Sequence, residues 1–367
     1  MNDEKYIRYC FELAKKALGQ TSPNPLVGAV LVHKNKIIGE GYHKAYGKPH
    51  AEVEAIEDAI KKGNTSLIAG STLYVNLEPC CHWGKTPPCT EKIIKYKIKK
   101  VVCSIIDPNP EVNGKGIKQL ISQGIECKVG VLNEEAKYLN RFYLKWITES
   151  LPYVTIKSAI TFDGKIATVA NKSKWITTEN SREYVYKLRA TYDGIMVGIN
   201  TVLIDNPSLS SHNFGKNPTR IVVGNISKLL NLNKKFHIFD NKIKTIIFTP
   251  NFENKKIKNF YNKENIIFYF YRTKKIPFKQ ILKTLAKNHN ITSVLVEGGG
   301  ETIWRLLKEK LVDDFIIFMA PKIFGGRTAK TWVEGEGVVL PSKAFKVEFL
   351  SIEEIAKDFV IKAKFIK

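Results

Sequence analysis

Twice along this chain, short runs rich in valine and isoleucine alternate with amphipathic segments of about ten residues, a pattern that demands layered α/β domains. In the first half, helical spacing covers Glu4–Leu18, and strands are expected over Val27–Val32 and Lys36–Tyr42 around a His33-Lys34-Asn35 turn. A helix over Ala51–Lys61 and strands over Ser71–Leu77 and Lys100–Ile106 follow. A helix over Gly116–Gln123, a strand over Glu126–Leu132 and a closing helix over Glu134–Trp146 complete the set. Thr148-Glu149-Ser150-Leu151-Pro152 then reads as a linker, short, polar and closed by a proline that resists helix. Beyond it, strands are expected over Tyr153–Ala159, Gly194–Val197, Arg220–Val223, Thr245–Phe248, Ile266–Tyr269, Ser293–Val296, Asp314–Met319, Lys346–Leu350 and Val360–Phe365. Helices fit Glu179–Thr191, Phe278–Lys287 and Glu301–Lys310, and the Lys/Asn-rich stretch Asn251–Asn265 reads as a solvated connection. At 367 residues the chain exceeds one typical core. The expected division is residues 1–147, a linker over 148–152, and residues 153–367.

No apolar run approaches the roughly 18–20 residues that a membrane-spanning helix needs. The opening residues carry no apolar stretch like that of a signal peptide, so a cytoplasmic protein is expected. The formal charge of +23 suggests nucleic acid. However, only eight of the 58 basic residues are arginines, and the lysines run the whole length of the chain beside isoleucine and asparagine. Phosphate-reading surfaces concentrate charge and favour arginine's planar fork. A lean toward AT-rich codons explains the excess better, although the charge still favours small anionic substrates.

Cys80, Cys81 and Cys89 lie within ten residues of one another, whereas Cys10, Cys103 and Cys127 are scattered on apolar segments. That placement points to metal or redox chemistry rather than a disulfide scaffold. The cluster belongs with His50-Ala51-Glu52, Glu78-Pro79-Cys80 and Pro87-Pro88-Cys89. A histidine and a glutamate two apart at a helix start, with cysteines at a strand end and the next helix start, can converge on one point. Three protein ligands leave a tetrahedral zinc one open position for water, whose pKa the ion lowers to about 7. Glu52 is then free to move protons. This is the arrangement of zinc nucleobase deaminases, except that eight residues rather than two separate the cysteines. The alternatives are a structural zinc completed by Cys81 or His82, or a metal-free buried pair.

Thr21-Ser22-Pro23-Asn24-Pro25-x-Val27-Gly28, His50-Ala51-Glu52 and Glu78-Pro79-Cys80-x-His82-x-Gly84-Lys85-Thr86-Pro87-Pro88-Cys89 resemble the bifunctional pyrimidine deaminase–reductase family of riboflavin biosynthesis. The Gly-Lys-Thr-Pro-Pro insert separates that family from cytidine and tRNA-adenosine deaminases. The resemblance implies that His50, Cys80 and Cys89 hold Zn2+ and that Glu52 is the catalytic proton shuttle. It also implies a substrate that is a diaminopyrimidinone carrying ribose phosphate. Asn24 and His43 fit contacts to the base, and Lys85, Asp107 and Asn109 fit contacts to the ribose phosphate. The residues of Asp107-Pro108-Asn109-Pro110 also favour a plain turn, and for Asn24 in Ser-Pro-Asn-Pro a turn is as good a reading as a binding role. Cys81, where many relatives have serine, is expected to be a bystander.

The second half lacks a G-x-G-x-x-G at its first strand–helix turn, but Glu297-Gly298-Gly299-Gly300-Glu301 lies between a strand and a helix, where phosphates bind. With Ser158–Ala167, Trp175-Ile176-Thr177 and Gly198-x-Asn200-Thr201-Val202-Leu203-x-Asp205-x-Pro207-x-Leu209, it is similar to the family's reductase domain. The implied architecture is an N-terminal cytidine-deaminase-like three-layer domain followed by a C-terminal domain like dihydrofolate reductase, using NADPH. Carried over by position, Ala159, Trp175, Thr201, Asp205, Gly298, Gly299 and Gly300 would touch the cofactor. Ser173, Arg189, Leu209, His212 and Glu297 would touch the substrate, with Arg189 giving bidentate phosphate recognition. Asp163 is either an Asp-Gly turn or part of the site. Where relatives carry a further arginine this chain has His212, whose neutral imidazole holds phosphate more weakly. The expected protein is a homo-oligomeric enzyme, dimer or tetramer, that deaminates and then reduces, with no nucleic-acid or membrane partner. The alternative is a deaminase whose second domain only binds or oligomerises.

Overall fold

The structure, a computed structural model, describes residues 3–84, 86–230, 232, 234–250, 264–273 and 275–366. Lys85 and most of the Asn251–Asn265 connection lie outside the described residues. The chain divides into two compact units, with the boundary between Leu151 and Pro152. Among the described residues, no helix is long and apolar enough to cross a membrane.

In the first unit the order is α1 (Asp3–Lys15), β1 (Gly28–His33), β2 (Lys36–Tyr42), α2 (Ala51–Lys61), α3 (Thr65–Ile68), β3 (Thr72–Val75) and α4 (Cys89–Lys95). β4 (Lys100–Cys103), α5 (Lys115–Ser122), β5 (Glu126–Val129), α6 (Asn133–Leu139) and α7 (Arg141–Glu149) follow. The sheet runs β2-β1-β3-β4-β5. β1 is antiparallel to both β2 and β3, and β3, β4 and β5 are mutually parallel. Helices cover both faces, and glycines let them approach. A Cβ at Gly28 would drive into the Cys10 carbonyl of α1, and Cβ atoms at Gly39 and Gly41 would strike Ala55 and Ala51 of α2. Ala29 pairs with Gly41 and so shares its face, while neighbouring Gly28 points to the other, as strand alternation requires. The expected three layers are therefore present.

The expected single closing helix is instead two. Asn140 separates α6 from α7 because its side chain is engaged elsewhere: its Oδ1 accepts from Leu26 N and its Nδ2 donates to Leu26 O. Helix α7 also runs to Glu149, so Thr148 and Glu149 are helical rather than linker. Thr148 returns its hydroxyl to the Leu144 carbonyl, and Ser150 ends the helix in the left-handed region.

The second unit contains β6 (Tyr153–Thr161), α8 (Glu179–Arg189), β7 (Gly194–Gly198), α9 (Ile199–Asp205), β8 (Thr219–Val223), α10 (Ser227–Leu230) and β9 (Thr245–Pro250). β10 (Ile266–Tyr271), α11 (Phe278–His289), β11 (Ser293–Val296), α12 (Gly300–Lys308), β12 (Asp314–Ala320), β13 (Lys346–Ile355) and β14 (Asp358–Ile366) complete it. Among the described residues its nine strands run β10-β9-β8-β7-β11-β6-β12-β14-β13. From β10 to β12 every neighbour is parallel, and β14 and β13 close one side as an antiparallel hairpin. The parallel strands are buried runs such as Ile195-Met196-Val197 and Ile246-Ile247-Phe248. Helices α3, α9 and α10, too short to show a period in the sequence, were not anticipated.

Strand order determines where a ligand can enter. The chain moves outward from β7 through β8 and β9 to β10, then returns to insert β11 beside β7. The connections that leave the carboxyl ends of β7 and β11 therefore run in opposite directions, and such a reversal is the expected ligand position in an open α/β sheet.

Candidate functional site

The first unit encloses a cavity of about 690 Å3 beyond the carboxyl end of β3. His50 caps α2 with extended backbone, Cys80 follows β3, and Cys89 opens α4. His50 Nδ1 lies 3.4 Å from Cys80 Sγ and 3.3 Å from Cys89 Sγ. All three ligand atoms fall within 4.8 Å of one another. Thr86 Oγ1 stands 3.4 Å from His50 Nε2 and orients the ring from behind. The backbone N–H of Cys89 donates to Cys80 Sγ, and hydrogen bonds from Cys89 and His50 lower the Cys80 thiol well below its ordinary value. One imidazole nitrogen and two sulfurs are the donor set of a catalytic Zn2+ with an open fourth position. The residues that would close it as a structural site are engaged elsewhere. His82 Nε2 faces Glu111 Oε2 at 3.3 Å, and the Cys81 thiol is directed at the Glu111 carbonyl.

Glu52, in the first turn of α2, is 4% exposed, and burial pushes its carboxyl up to about 7. A divalent cation on the three ligands would pull it down again. Asn24 Nδ2 lies 3.1 Å from His43 Nε2, and His43 Nδ1 lies 3.0 Å from the Pro49 carbonyl. Burial lowers the His43 imidazole below its ordinary value. The neutral ring therefore donates from Nδ1 and accepts the Asn24 amide at Nε2. Both residues line the cavity.

Asp107 and Asn109 also line it, but in a built turn. Asp107 Oδ1 accepts from Asn109 N and Tyr143 Oη, and Asn109 Oδ1 accepts from Glu111 N. The hydrogen-bonded turn therefore forms part of the cavity wall. Its anchor is Glu78, which the sequence showed only as part of Glu-Pro-Cys. Its buried carboxylate accepts from three backbone N–H groups, Asp107 at 3.1 Å, Gly114 at 2.9 Å and Ile117 at 3.1 Å. One residue from the metal strand thereby holds the opposite wall.

The second unit carries a cavity of about 460 Å3 that brings together Ala159, Ser173, Trp175, Arg189, Asp205, Leu209 and His212. Ser173 Oγ donates to Asp205 Oδ1 at 3.0 Å, and the Arg182 guanidinium lies 4.5 Å over the exposed Trp175 ring. His212 stacks on Tyr186 with centroids 3.9 Å apart. Burial and the Arg189 charge lower its imidazole, so it is neutral at pH 7.

Glu297 and Arg189 depart from the sequence reading. Glu297 does not line the cavity; it lies beneath, bound by Arg189 Nε at 2.8 Å and Nη2 at 2.9 Å and by Lys157 Nζ at 3.4 Å. Burial would raise its carboxyl, but the Arg189 and Lys157 cations outweigh this and hold it at about 2. The bidentate edge of Arg189 is thus occupied by Glu297, while Nη1 donates to the Ser210 carbonyl. Lys157 was missed in the sequence, although a lysine inside the apolar run of β6 was a visible signal. Asp163 is a turn that also ties down a distant loop, accepting from Phe324 N and Gly325 N.

Thr201 and the Gly298–Gly300 turn follow the carboxyl ends of β7 and β11, adjacent strands of the sheet, and lie outside this lining. Gly299 caps α12, and a Cβ there would meet nothing nearer than Thr201 Oγ1 at 3.9 Å, leaving backbone open to a phosphate. Gly300 has a different reason: a Cβ would press into the Thr331 carbonyl and the Glu334 backbone. A glycine cradle at a strand-order reversal, next to a cavity with buried cations, fits a dinucleotide cofactor.

Residues 1–105 match the cytidine and deoxycytidylate deaminase zinc-binding region, and residues 152–361 match the RibD C-terminal domain. These two domains define a fused zinc deaminase and NADPH reductase. The riboflavin biosynthesis protein RibD of Aquifex aeolicus is 40% identical over 98% of this chain and 97% of its own. That of Bacillus amyloliquefaciens is 40% identical over 98% and 96%. A crystal structure from Thermotoga maritima, described as a diaminohydroxyphosphoribosylaminopyrimidine deaminase/5-amino-6-(5-phosphoribosylamino)uracil reductase, superposes with a TM-score of 0.87. It is 37% identical and covers 99% of both chains. Acinetobacter baumannii RibD gives 0.87 at 32% identity, over 100% of this chain and 99% of the other. The chain belongs to the RibD family, the bifunctional deaminase–reductases of riboflavin biosynthesis.

Proposed function

We propose that the first unit hydrolytically deaminates a diaminopyrimidinone ribotide and that the second reduces its ribosyl group to ribityl with NADPH. The observation that carries this reading is the His50–Cys80–Cys89 cluster with Glu52 buried beside it, in a cavity walled by Asn24 and His43. Zn2+, held by His50, Cys80 and Cys89, would supply activation of water at neutral pH. Glu52, ionised beside the bound cation, accepts a proton from the attacking water on its carboxylate and returns it to the departing exocyclic nitrogen. Asn24 and His43 orient the pyrimidine. Asp107, Asn109 and Lys85, the last outside the described residues, are assigned to the ribose phosphate.

In the second unit NADPH would supply hydride to the ribosyl carbon. Thr201 and the Gly298–Gly300 backbone are assigned to its phosphates, and Ala159, Trp175 and Asp205 to its reactive end. Ser173, Arg189, Leu209 and His212 are assigned to the substrate. Glu297 acts through Arg189 and Lys157, holding two cations beneath a substrate that carries phosphate.

Six unpaired cysteines suit a cytoplasmic, reducing setting. A homo-oligomer through the second unit is supported by β13, an edge strand of the sheet, whose Phe349 and Ile352 are exposed.

The test is mass spectrometry of the ribotide incubated with zinc-loaded protein, with and without NADPH. Conversion to the aminouracil without cofactor, and onward to the ribityl compound with it, is expected. Arrest at the aminouracil under both conditions would leave the second unit as a binding or oligomerisation module. No conversion with zinc bound would refute the deaminase.

A further inference from the structure

One wall of the second cavity, residues 206–212 just after α9, is irregular backbone. Within it Asn206, Leu209 and His212 all have positive φ, at 43°, 52° and 50°. For leucine and histidine this conformation costs on the order of 1–2 kcal/mol each, so the surrounding structure has to enforce it. Two arginines do so from opposite sides of Leu209. Arg189 Nη1 donates to the Ser210 carbonyl at 3.0 Å, and Arg220 Nε donates to the Ser208 carbonyl at 2.9 Å. Arg220 lies on β8, is 2% exposed and does not line the cavity. Its Nη1 also donates to the His237 carbonyl at 2.7 Å and to Asp240 Oδ1 at 2.8 Å, with Nη2 3.3 Å from Asp240 Oδ2. Asn206 completes the stitching, accepting from His237 N and donating to the Lys235 carbonyl. A buried guanidinium thus joins two segments, 206–212 and 237–240, to the central sheet, and both line the cavity, at Ser208 and at His237.

We propose that Arg220 is a positioning residue for the reductase site: by fixing the Ser208 carbonyl against β8 it sets the backbone that presents Asp205, Leu209 and His212. It acts without touching substrate or cofactor. The inference rests on reading this cavity as the reductase site. Lysine at this position keeps the charge but cannot reach Ser208, His237 and both Asp240 oxygens together. The wall then loosens while the sheet beneath is retained.

The experiment compares the full zinc-loaded chain with Arg220→Lys and Asp240→Asn, and with Leu285→Ala as a control that destabilises the same unit from α11, where Leu285 is fully buried. Steady-state NADPH oxidation gives kcat and both KM values. Deamination in the same samples reports on the first unit, and thermal melting on stability. For Arg220→Lys a fall of tenfold or more in reductase kcat/KM is expected, most of it as a rise in substrate KM, with deamination unchanged. Asp240→Asn leaves the bonds to Ser208 and His237 in place and is expected to raise KM two- to fivefold. Leu285→Ala is expected to lower Tm without moving KM. Wild-type KM values in both Arg220→Lys and Asp240→Asn, or KM values that follow Tm equally in Leu285→Ala, would overturn the proposal and leave Arg220 a core residue only. Should Arg220→Lys fail to fold, the Asp240→Asn result decides alone. Absence of NADPH oxidation in the wild type, with deamination intact, would refute the reductase reading and this inference with it.

Discussion

Replacing Glu297 by glutamine removes the anion that two largely buried cations, Arg189 and Lys157, share. The structure sets the size of the effect in two ways. Arg189 and Lys157 hold the carboxyl at about 2 against an ordinary 4.5, and at 1.36 kcal/mol per pH unit that difference is about 3 kcal/mol of folding free energy. Removing one partner of a buried, hydrogen-bonded ion pair costs about 3–5 kcal/mol in general, so the two agree. The sign follows from the direction of the shift. A carboxyl whose folded pKa is depressed stabilises the protein fully above its unfolded value of 4.5, and loses that contribution as pH falls toward 2. Glu297→Gln is therefore expected to lower urea-unfolding stability by about 3 kcal/mol at pH 7, with the gap from wild type narrowing between pH 4.5 and pH 3. Hydrogen exchange over Ser293–Val296 and Glu179–Arg189 should report the loss locally, while deamination persists. A deficit below about 1 kcal/mol at pH 7, or a gap that does not change with acid, would refute the argument that these cations depend on Glu297 for their burial.

Chelating the metal, or substituting Cys89→Ala, should stop ammonia release while NADPH oxidation on preformed aminouracil ribotide continues. Coupled loss of both activities would count against two independent sites. Glu52→Gln is expected to retain zinc, measured by atomic absorption, and to slow deamination by about 10²–10⁴-fold. Glu78→Gln puts an amide donor against one of three backbone donors and should cost about 2–3 kcal/mol, with a rise in deaminase KM because the Asp107–Asn109 wall loses its anchor; an unchanged KM would show the wall stands without it. His212→Arg restores a permanent cation beside Tyr186 and is expected to lower the reductase KM for the phosphorylated substrate, an effect that added salt should diminish.

Much of the first site was legible in the chain because its chemistry is local. His50 and Glu52 share one helix start, and Cys80 and Cys89 flank one short insert, so spacing alone places four side chains near one point. The strand and helix positions in both halves followed from periodicity, with boundaries displaced by a few residues. What spacing cannot show is which partner a side chain finds across the fold. Glu78 became an anchor only because residues 107–117 return beside β3. Asn140 broke an expected helix because Leu26 lies against it. Arg189, suited by type to phosphate, has its fork closed on Glu297, 108 residues away. A sequence determines residue chemistry and local backbone preference, and from these the metal centre and the two α/β units follow. Only the tertiary structure decided which carboxylates and guanidiniums neutralise one another, since that depends on the order in which strands from distant parts of the chain join one sheet.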